Sequence, residues 1–277
     1  MNLKVGLYTD SVHFYHRADN TKTTGYALHC HNFYEVYYFI RGDVSYLVEG
    51  NRYIPTPQSI LIMSPNVFHG VKINSDTTYE RFALHFLPNV FSVENRVLLL
   101  SPFSESTCKK DIYYENVDAF KMQCYFENLL DCRYMNSDIK EVATKIRIEA
   151  LLSQILFMSH TKKGSSSEEL SLPVINNIIT YLNEHLTETI TLDNISNKFF
   201  ISKHHLNKVF RKAIGTTVGD YIIHKRVILA NQFIMQGLSA SLASTNAGFH
   251  DYSSFYRAYK KNTGHSPTNK ISSRLLL

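Results

Sequence analysis

The chain carries one pattern twice near its C-terminal end, and the spacing of the two copies limits what that part can fold into. The first copy runs from Ile195 to Gly215 and the second from Ala243 to Gly264. Leu206 and Phe255, Phe210 and Tyr259, Lys212 and Lys261, and Gly215 and Gly264 are all separated by 49 positions. Each copy reads as a short helix, a tight turn, and a longer basic helix stopped by a glycine. Leu206, Val209 and Phe210 in the first copy, and Phe255 and Tyr259 in the second, are the expected buried positions. This is the pattern of a helix-turn-helix, the unit whose second helix enters a DNA major groove. One copy alone reads equally well as a plain helical hairpin. Two copies joined by a long helix, with Val218, Tyr221, Ile222, Arg226, Val227, Ala230, Phe233 and Ile234 in helical steps, do not.

The charge is distributed to match. From Ser171 to the end there are 12 Lys and Arg against 5 Asp and Glu, whereas residues 1–170 hold 17 against 19. A basic part joined to a near-neutral part suggests a phosphate-binding module and a second module with another task. With the apolar positions buried, Lys203, His204, His205, Asn207, Lys208 and Arg211 are left to face outward from the first copy. Tyr252, Ser253, Tyr256, Arg257 and Lys260 do so from the second. Arg and Lys can pair with guanine edges, Asn with adenine, and an aromatic surface with the thymine methyl group. Others among them will touch only phosphate, and His204 and His205 also read as exposed histidines without a base contact.

The remainder of the chain has a different period. Glu35–Ile40, Val44–Val48, Ser59–Met63 and Tyr79–Phe86 read as strands, broken at Arg41-Gly42-Asp43, Glu49-Gly50-Asn51 and Ser64-Pro65-Asn66. Short strands at such intervals suggest an antiparallel sandwich or barrel. From about Asp118 the apolar residues recur at helical steps, predicting two amphipathic helices broken near Asn136-Ser137. Lys162–Glu169 is small and polar, as expected of a flexible linker. Cys30, Cys108, Cys124 and Cys132 form no CxxC pair and are expected to be free thiols. No apolar run is long enough to span a bilayer, and the N-terminus lacks the apolar core of a signal peptide, so a cytoplasmic location is expected.

The stretches Thr191–Ile195, Ile201–Lys212, Asp220-Tyr221-Ile222 with Arg226 and Ala230, Gly248–Phe255 and Tyr259–Pro267 resemble the double helix-turn-helix domain of the AraC/XylS family of bacterial transcription regulators. Departures from the family pattern fall at Ala240, Ala243, Ser244 and Lys270-Ile271, which suggests looser packing in the second unit. Farther upstream, His29 and His31, then Glu35, then the distant His69 resemble the cupin motif, which holds a metal in cupin enzymes. The stretch His31–Glu35 is also similar to the sensory domain of many AraC-type regulators, in which the barrel binds a small effector without a catalytic metal.

The expected fold class is α+β: a cupin-like β-barrel with two helices, followed by an all-α double helix-turn-helix domain. The expected boundaries are 1–161 for the effector-binding and dimerisation domain, 162–170 for the linker, and 171–277 for the DNA-binding domain. The resemblance implies a sequence-specific regulator, more often an activator in this family, whose effector, a sugar being the common family expectation, sits among His29, His31, Glu35, Tyr37, Tyr46 and His69. Other aromatic candidates for that pocket are Tyr34, Phe68 and Phe82, which read equally well as core. No catalytic residue, cofactor or metal is expected. The expected partners are double-stranded DNA, the effector, a second copy paired through the helices around Leu129 and Leu151, and RNA polymerase. The rival readings are a metal-dependent cupin enzyme fused to a DNA-binding domain, and a DNA-binding protein controlled by a protein partner that docks on the barrel.

Overall fold

The computed structural model of the protein describes residues 3–103, 112–162, 164 and 173–268. Cys108, the linker residues 163 and 165–170, and Lys270-Ile271 lie outside the described residues. The chain divides into two compact units. One comprises Met1–Ala27, Phe33–Tyr46 and Arg52–Glu168, and the other Leu28–Asn32, Leu47–Asn51 and Glu169–Leu277.

Nine strands are described: β1 (Leu3–Tyr8), β2 (Val12–Asp19), β3 (Tyr34–Arg41), β4 (Val44–Val48), β5 (Asn51–Tyr53), β6 (Ser59–Met63), β7 (His69–Ile73), β8 (Tyr79–Phe86) and β9 (Tyr113–Tyr114). Six of them form one sheet in the order β1-β2-β8-β3-β6-β9, and β5-β4-β7 form another. Among the described residues these sheets do not close into the barrel expected from the sequence. The edge strand β9 has only two residues, too few to carry a hydrogen-bond ladder onward. All five neighbouring strand pairs of the large sheet are antiparallel. Successive residues of a strand point to opposite faces, so each strand deals its side chains to both. On β3 and β8, Val36, Tyr38, Phe82, Leu84 and Phe86 lie on one face, where Phe14, Ile60 and Ile62 join them in a continuous apolar core. Three helices belong to this unit: α1 (Val93–Leu99), α2 (Met122–Asp131) and α3 (Ser137–Thr161). The sheet's apolar face is covered by Phe126 and Leu129 of α2 and by Ile148, Leu151, Leu152 and Ile155 of α3. Leu129 and Leu151, expected at a dimer seam, are therefore internal. Phe82 and Tyr34 are likewise core rather than pocket residues, because strand alternation turns them to the helix side.

The second unit contains α4 (Pro173–Glu184), α5 (Leu192–Phe199), α6 (Lys203–Ile214), α7 (Val218–Met235), α8 (Ala240–Asn246) and α9 (Tyr252–Thr263). The 49-residue repeat reappears as geometry: α6 and α9 begin and end at positions that differ by that number. Their ends have local causes. Ser202 and Asp251 cap the two N-termini by accepting from the amides of His205 and Ser254. Gly215 and Gly264 end the helices in left-handed backbone, at φ of 82° and 80°. Leu206, Phe210 and Ile214 bury one face of α6, and Phe255 and Tyr259 bury the matching face of α9. Arg226 of α7 is buried and donates to the carbonyls of Leu186 (2.8 Å) and Glu188 (2.6 Å), securing the chain between α4 and α5. Ser244, one of the departures from the family pattern, is buried with its hydroxyl donated to the Ser241 carbonyl at 2.7 Å, so it leaves no polar atom stranded.

The two turns solve one geometric problem differently. Each needs a residue in left-handed backbone after the short helix. The second uses Gly248 (φ 88°), where a Cβ would lie 2.8 Å from the Thr187 carbonyl oxygen. The first uses Phe200, at φ 51° and with its side chain 97% exposed. A non-glycine residue in that region costs ~1 kcal/mol or more, and the exposed ring recovers nothing by burial. Phe200→Gly is expected to raise the stability of the helical unit by about 1 kcal/mol, measured as a higher denaturant midpoint at unchanged slope. A lower midpoint would contradict this account of the turn.

Candidate functional site

The face of the large sheet opposite the helices is built from a different chemistry. Glu35 and Tyr37 alternate with the apolar residues of β3, and Tyr79, Arg81, Ala83 and His85 with those of β8. The antiparallel register aligns Glu35 with His85 and His85 with His13, and one step further along aligns Tyr37 with Ala83 and Ala83 with Tyr15. Rows of polar side chains thus cross the sheet.

Glu35 is the centre of this face, with a relative exposure of only 3%. His69 Nε2 lies 2.9 Å and His85 Nε2 3.3 Å from its Oε2, and the Tyr46 hydroxyl donates to Oε1 at 3.5 Å. His69 Nδ1 lies 2.8 Å from the Val67 carbonyl, which can only accept, so this nitrogen carries a proton. The opposite nitrogen would then face a carboxylate as one acceptor against another. A proton held by either the imidazole or the carboxyl group makes the 2.9 Å approach favourable. The Tyr46 ring stacks on His69 at 6.3 Å and lies 4.8 Å from the Tyr37 ring. Burial pushes the Tyr37 and Tyr46 phenols well above their ordinary pKa, and pushes Tyr79 up to about 12. Burial also lowers the His13 pKa, assisted by His85. Arg81 is ion-paired with Asp19 and lies over the Tyr79 ring at 4.0 Å.

Neutral phenols, imidazoles, a carboxylate and a guanidinium on one face can exchange many hydrogen bonds with a polar molecule and stack on its flat surfaces. By type, Glu35, His69 and His85 are also metal donors. Of the expected effector residues, Glu35, Tyr37, Tyr46 and His69 meet here. His29 is exposed, His31 is buried, and their rings are 5.7 Å apart within the segment Leu28–Asn32 of the second unit. The sequence reading did not single out His85 or Arg81. Their signal was the alternation along Arg81–Phe86, in which Arg81, Ala83 and His85 interleave with Phe82, Leu84 and Phe86.

The second candidate surface consists of the outward faces of α6 and α9. His204, His205, Lys208 and Arg211 are exposed on α6. Lys203 is exposed too and pairs with Asp193 at 2.5 Å. Asn207 is half-buried, and its side-chain oxygen accepts from the amide of Val218 at 3.3 Å, at the start of α7. That bond occupies one end of the amide and so restricts how Asn207 could present itself to a base. On α9, Tyr252, Ser253, Arg257 and Lys260 are exposed and Tyr256 is half-buried. Arg257 Nη2 donates to Ser254 Oγ at 3.5 Å. Neither helix contains an acidic residue. Both outward faces therefore favour an anionic surface.

A family model described as a helix-turn-helix domain matches residues 195–271, and one described as an AraC-like ligand binding domain matches residues 11–99. The chain is 22% identical over 263 residues to the uncharacterized HTH-type transcriptional regulator YfiF of Bacillus subtilis (strain 168), covering 92% of this chain and 81% of YfiF. It is 31% identical over 97 residues to the probable transcription factor PqrA of Proteus vulgaris, covering 34% of this chain and 80% of PqrA. Among solved structures, the DNA-binding domain of the global transcriptional factor AdpA in complex with a target DNA is similar at 20% identity and a TM-score of 0.33, over 35% of this chain and 87% of that one.

The buried Glu35 cluster makes an energetic prediction. His69→Phe removes an imidazole partner of Glu35 and is expected to destabilise the sheet unit by about 3 kcal/mol, the usual scale for breaking a buried pair. Adding Glu35→Gln should restore part of that loss by removing the stranded charge. Denaturant titration of the single and double variants measures both effects. Equal loss in both would show that cavity and packing effects, not charge, dominate.

Proposed function

Since the chain belongs to the AraC family of transcription regulators, we propose that α6 and α9 read two DNA half-sites while a small polar effector binds on the Glu35 face of the large sheet. The protein is an AraC-type regulator with an N-terminal ligand-binding domain and a helix-turn-helix DNA-binding domain. The observation that carries the DNA assignment is the pair of helices with matching bounds, matching caps and basic, acid-free sequences. Lys203, His204, His205, Lys208 and Arg211 are assigned to one half-site, with Asn207 held by its bond to α7. Tyr252, Ser253, Tyr256, Arg257 and Lys260 are assigned to the other.

The effector assignment rests on the chemistry of Glu35, Tyr37, Tyr46, His69, His85 and Arg81, with His29 and His31 retained from the sequence pattern. A polyhydroxylated molecule such as a sugar suits neutral phenols, which can donate or accept, beside imidazole N–H donors and a carboxyl group. Glu35 is now engaged by His69, His85 and Tyr46, so a ligand that takes up the carboxyl group must exchange those bonds for its own. Only a ligand with different affinity for two arrangements of the chain can change its behaviour on DNA. No catalytic role is assigned to the cluster. The relatives in the comparisons carry the names of regulators, and metal analysis of the purified protein tests the enzyme rival. Among the described residues no helix is long and apolar enough to cross a membrane, in keeping with a cytoplasmic protein. Activation of transcription through RNA polymerase is the mode of action we favour.

Pairing of two chains is assigned to α3. Ile139, Val142, Ile146 and Phe157 recur at steps that place them along one side of the helix, and each is more than half exposed. Together they leave a long apolar stripe beside the buried Leu151 stripe. Ile146→Glu is expected to convert a two-chain mass into a one-chain mass in light scattering at micromolar concentration. A wild-type protein already at the one-chain mass would remove this assignment.

For DNA, the full chain is expected to bind a duplex selected from a random pool, with affinity falling linearly in log-log form as salt rises. Lys208→Ala and Arg257→Ala should each cost ~1–3 kcal/mol on the selected duplex where the residue pairs with a base edge. Equal losses on selected and random duplexes would make that residue a phosphate contact. Binding without selectivity or salt dependence would refute the DNA assignment itself.

A further inference from the structure

The two outward helix faces share a position in the repeat but not a chemistry. On α6 the exposed residues Lys203, His204, His205, Lys208 and Arg211 all end in nitrogen. Such groups suit the acceptor-rich edge of guanine and the phosphates. On α9 the equivalent face opens with two aromatic rings. Tyr252 is the first residue of the helix, and Tyr256 lies one turn further on. Their ring centroids are 6.4 Å apart, and Tyr252 also rests against Phe255 at 5.6 Å. One side of the Tyr252 ring is thereby seated, and the side chain remains 40% exposed. Arg257, next to Tyr256 in sequence, is exposed as well.

An aromatic ring beside a groove gains by being covered with apolar surface. The major groove offers one compact apolar group, the C5-methyl of thymine. We propose that α9 selects its half-site through thymine methyl groups packed against Tyr252 and Tyr256, whereas α6 selects through purine-edge hydrogen bonds and is indifferent to methyl groups. This rests on the assignment of both helices to DNA, and it names the base chemistry that tells their half-sites apart. The neighbouring Arg257 supplies a donor for a guanine adjoining the methyl patch.

The distinction can be tested by changing the DNA instead of the protein. A duplex is first selected from a random pool by the full chain. Each thymine is then replaced in turn by uracil, which removes the methyl group and preserves pairing. At one or two thymines the affinity is expected to fall about fourfold, the effect of one buried methyl-sized group. Tyr252→Ser and Tyr256→Ser should weaken binding and lose the thymine–uracil difference at those positions. Tyr252→Phe keeps the ring and should keep the difference, which separates ring contact from a hydroxyl bond to phosphate. His204→Ala and Lys208→Ala on α6 should keep it too. The proposal is overturned if selective, salt-sensitive binding persists and no thymine is sensitive to uracil. It is equally overturned if the sensitivity survives in both serine variants or disappears in the α6 variants. A pool that never enriches would instead overturn the assignment of these helices to DNA, and the proposal with it.

Discussion

Strand β8 has neighbours on both sides, β2 and β3, and its alternation decides the character of the whole N-terminal unit. Phe82, Leu84 and Phe86 turn to one face and Arg81, Ala83 and His85 to the other. The first set anchors the helices α2 and α3 through a continuous apolar core. The second set faces Glu35 and its tyrosines. A shift of register by one residue would exchange the two faces, placing Glu35 and Arg81 among Phe126 and Ile148. The antiparallel pairing therefore separates a core that stabilises from a polar face that can recognise.

That polar face is energetically demanding. A carboxylate removed from water needs partners, and the His69 and His85 imidazoles and the Tyr46 phenol are among those of Glu35. The tyrosines around it stay neutral because burial opposes their ionisation. Neutral phenols keep both donor and acceptor capacity, which an ionised ring would lose. The same burial that makes the cluster costly thus makes it suitable for discriminating among polar ligands. Stability in this unit is supplied on the other side of the sheet, so the polar face is free to be specialised.

The helical unit divides its labour differently. Apolar residues at matching positions hold α6 and α9 in place, while the outward positions differ in chemistry between the copies. Phe210 and Tyr259 occupy equivalent places, and Tyr259 uses its hydroxyl to donate to Asn231 at 2.7 Å. Most outward positions are less constrained by packing. One repeat can therefore present nitrogen donors and the other aromatic rings without altering the scaffold.

The helical unit was legible from sequence because its signals are local. Ser202, Asp251, Gly215 and Gly264 act within one turn of their own helix, so helix bounds can be read without knowing what packs on them. Strands β3, β4, β6 and β8 were visible as β-branched and aromatic runs. The first two strands were not, because polar residues interrupt Val12–Asp19 and only pairing with β8 makes that segment a strand. Glu35 and His69 could be found from spacing alone. His85 could not, since its approach to Glu35 depends on the register of β3 against β8, strands far apart in the chain. Likewise, periodicity marked α2 and α3 as amphipathic, but only packing against the sheet showed that Leu129 and Leu151 are internal and Ile139, Val142 and Ile146 are not. The repeat, its caps and its charge can be read directly from the residues, because those interactions act over a few positions. Which face each strand and helix turns inward emerges only on folding, because it depends on partners brought together by long-range pairing.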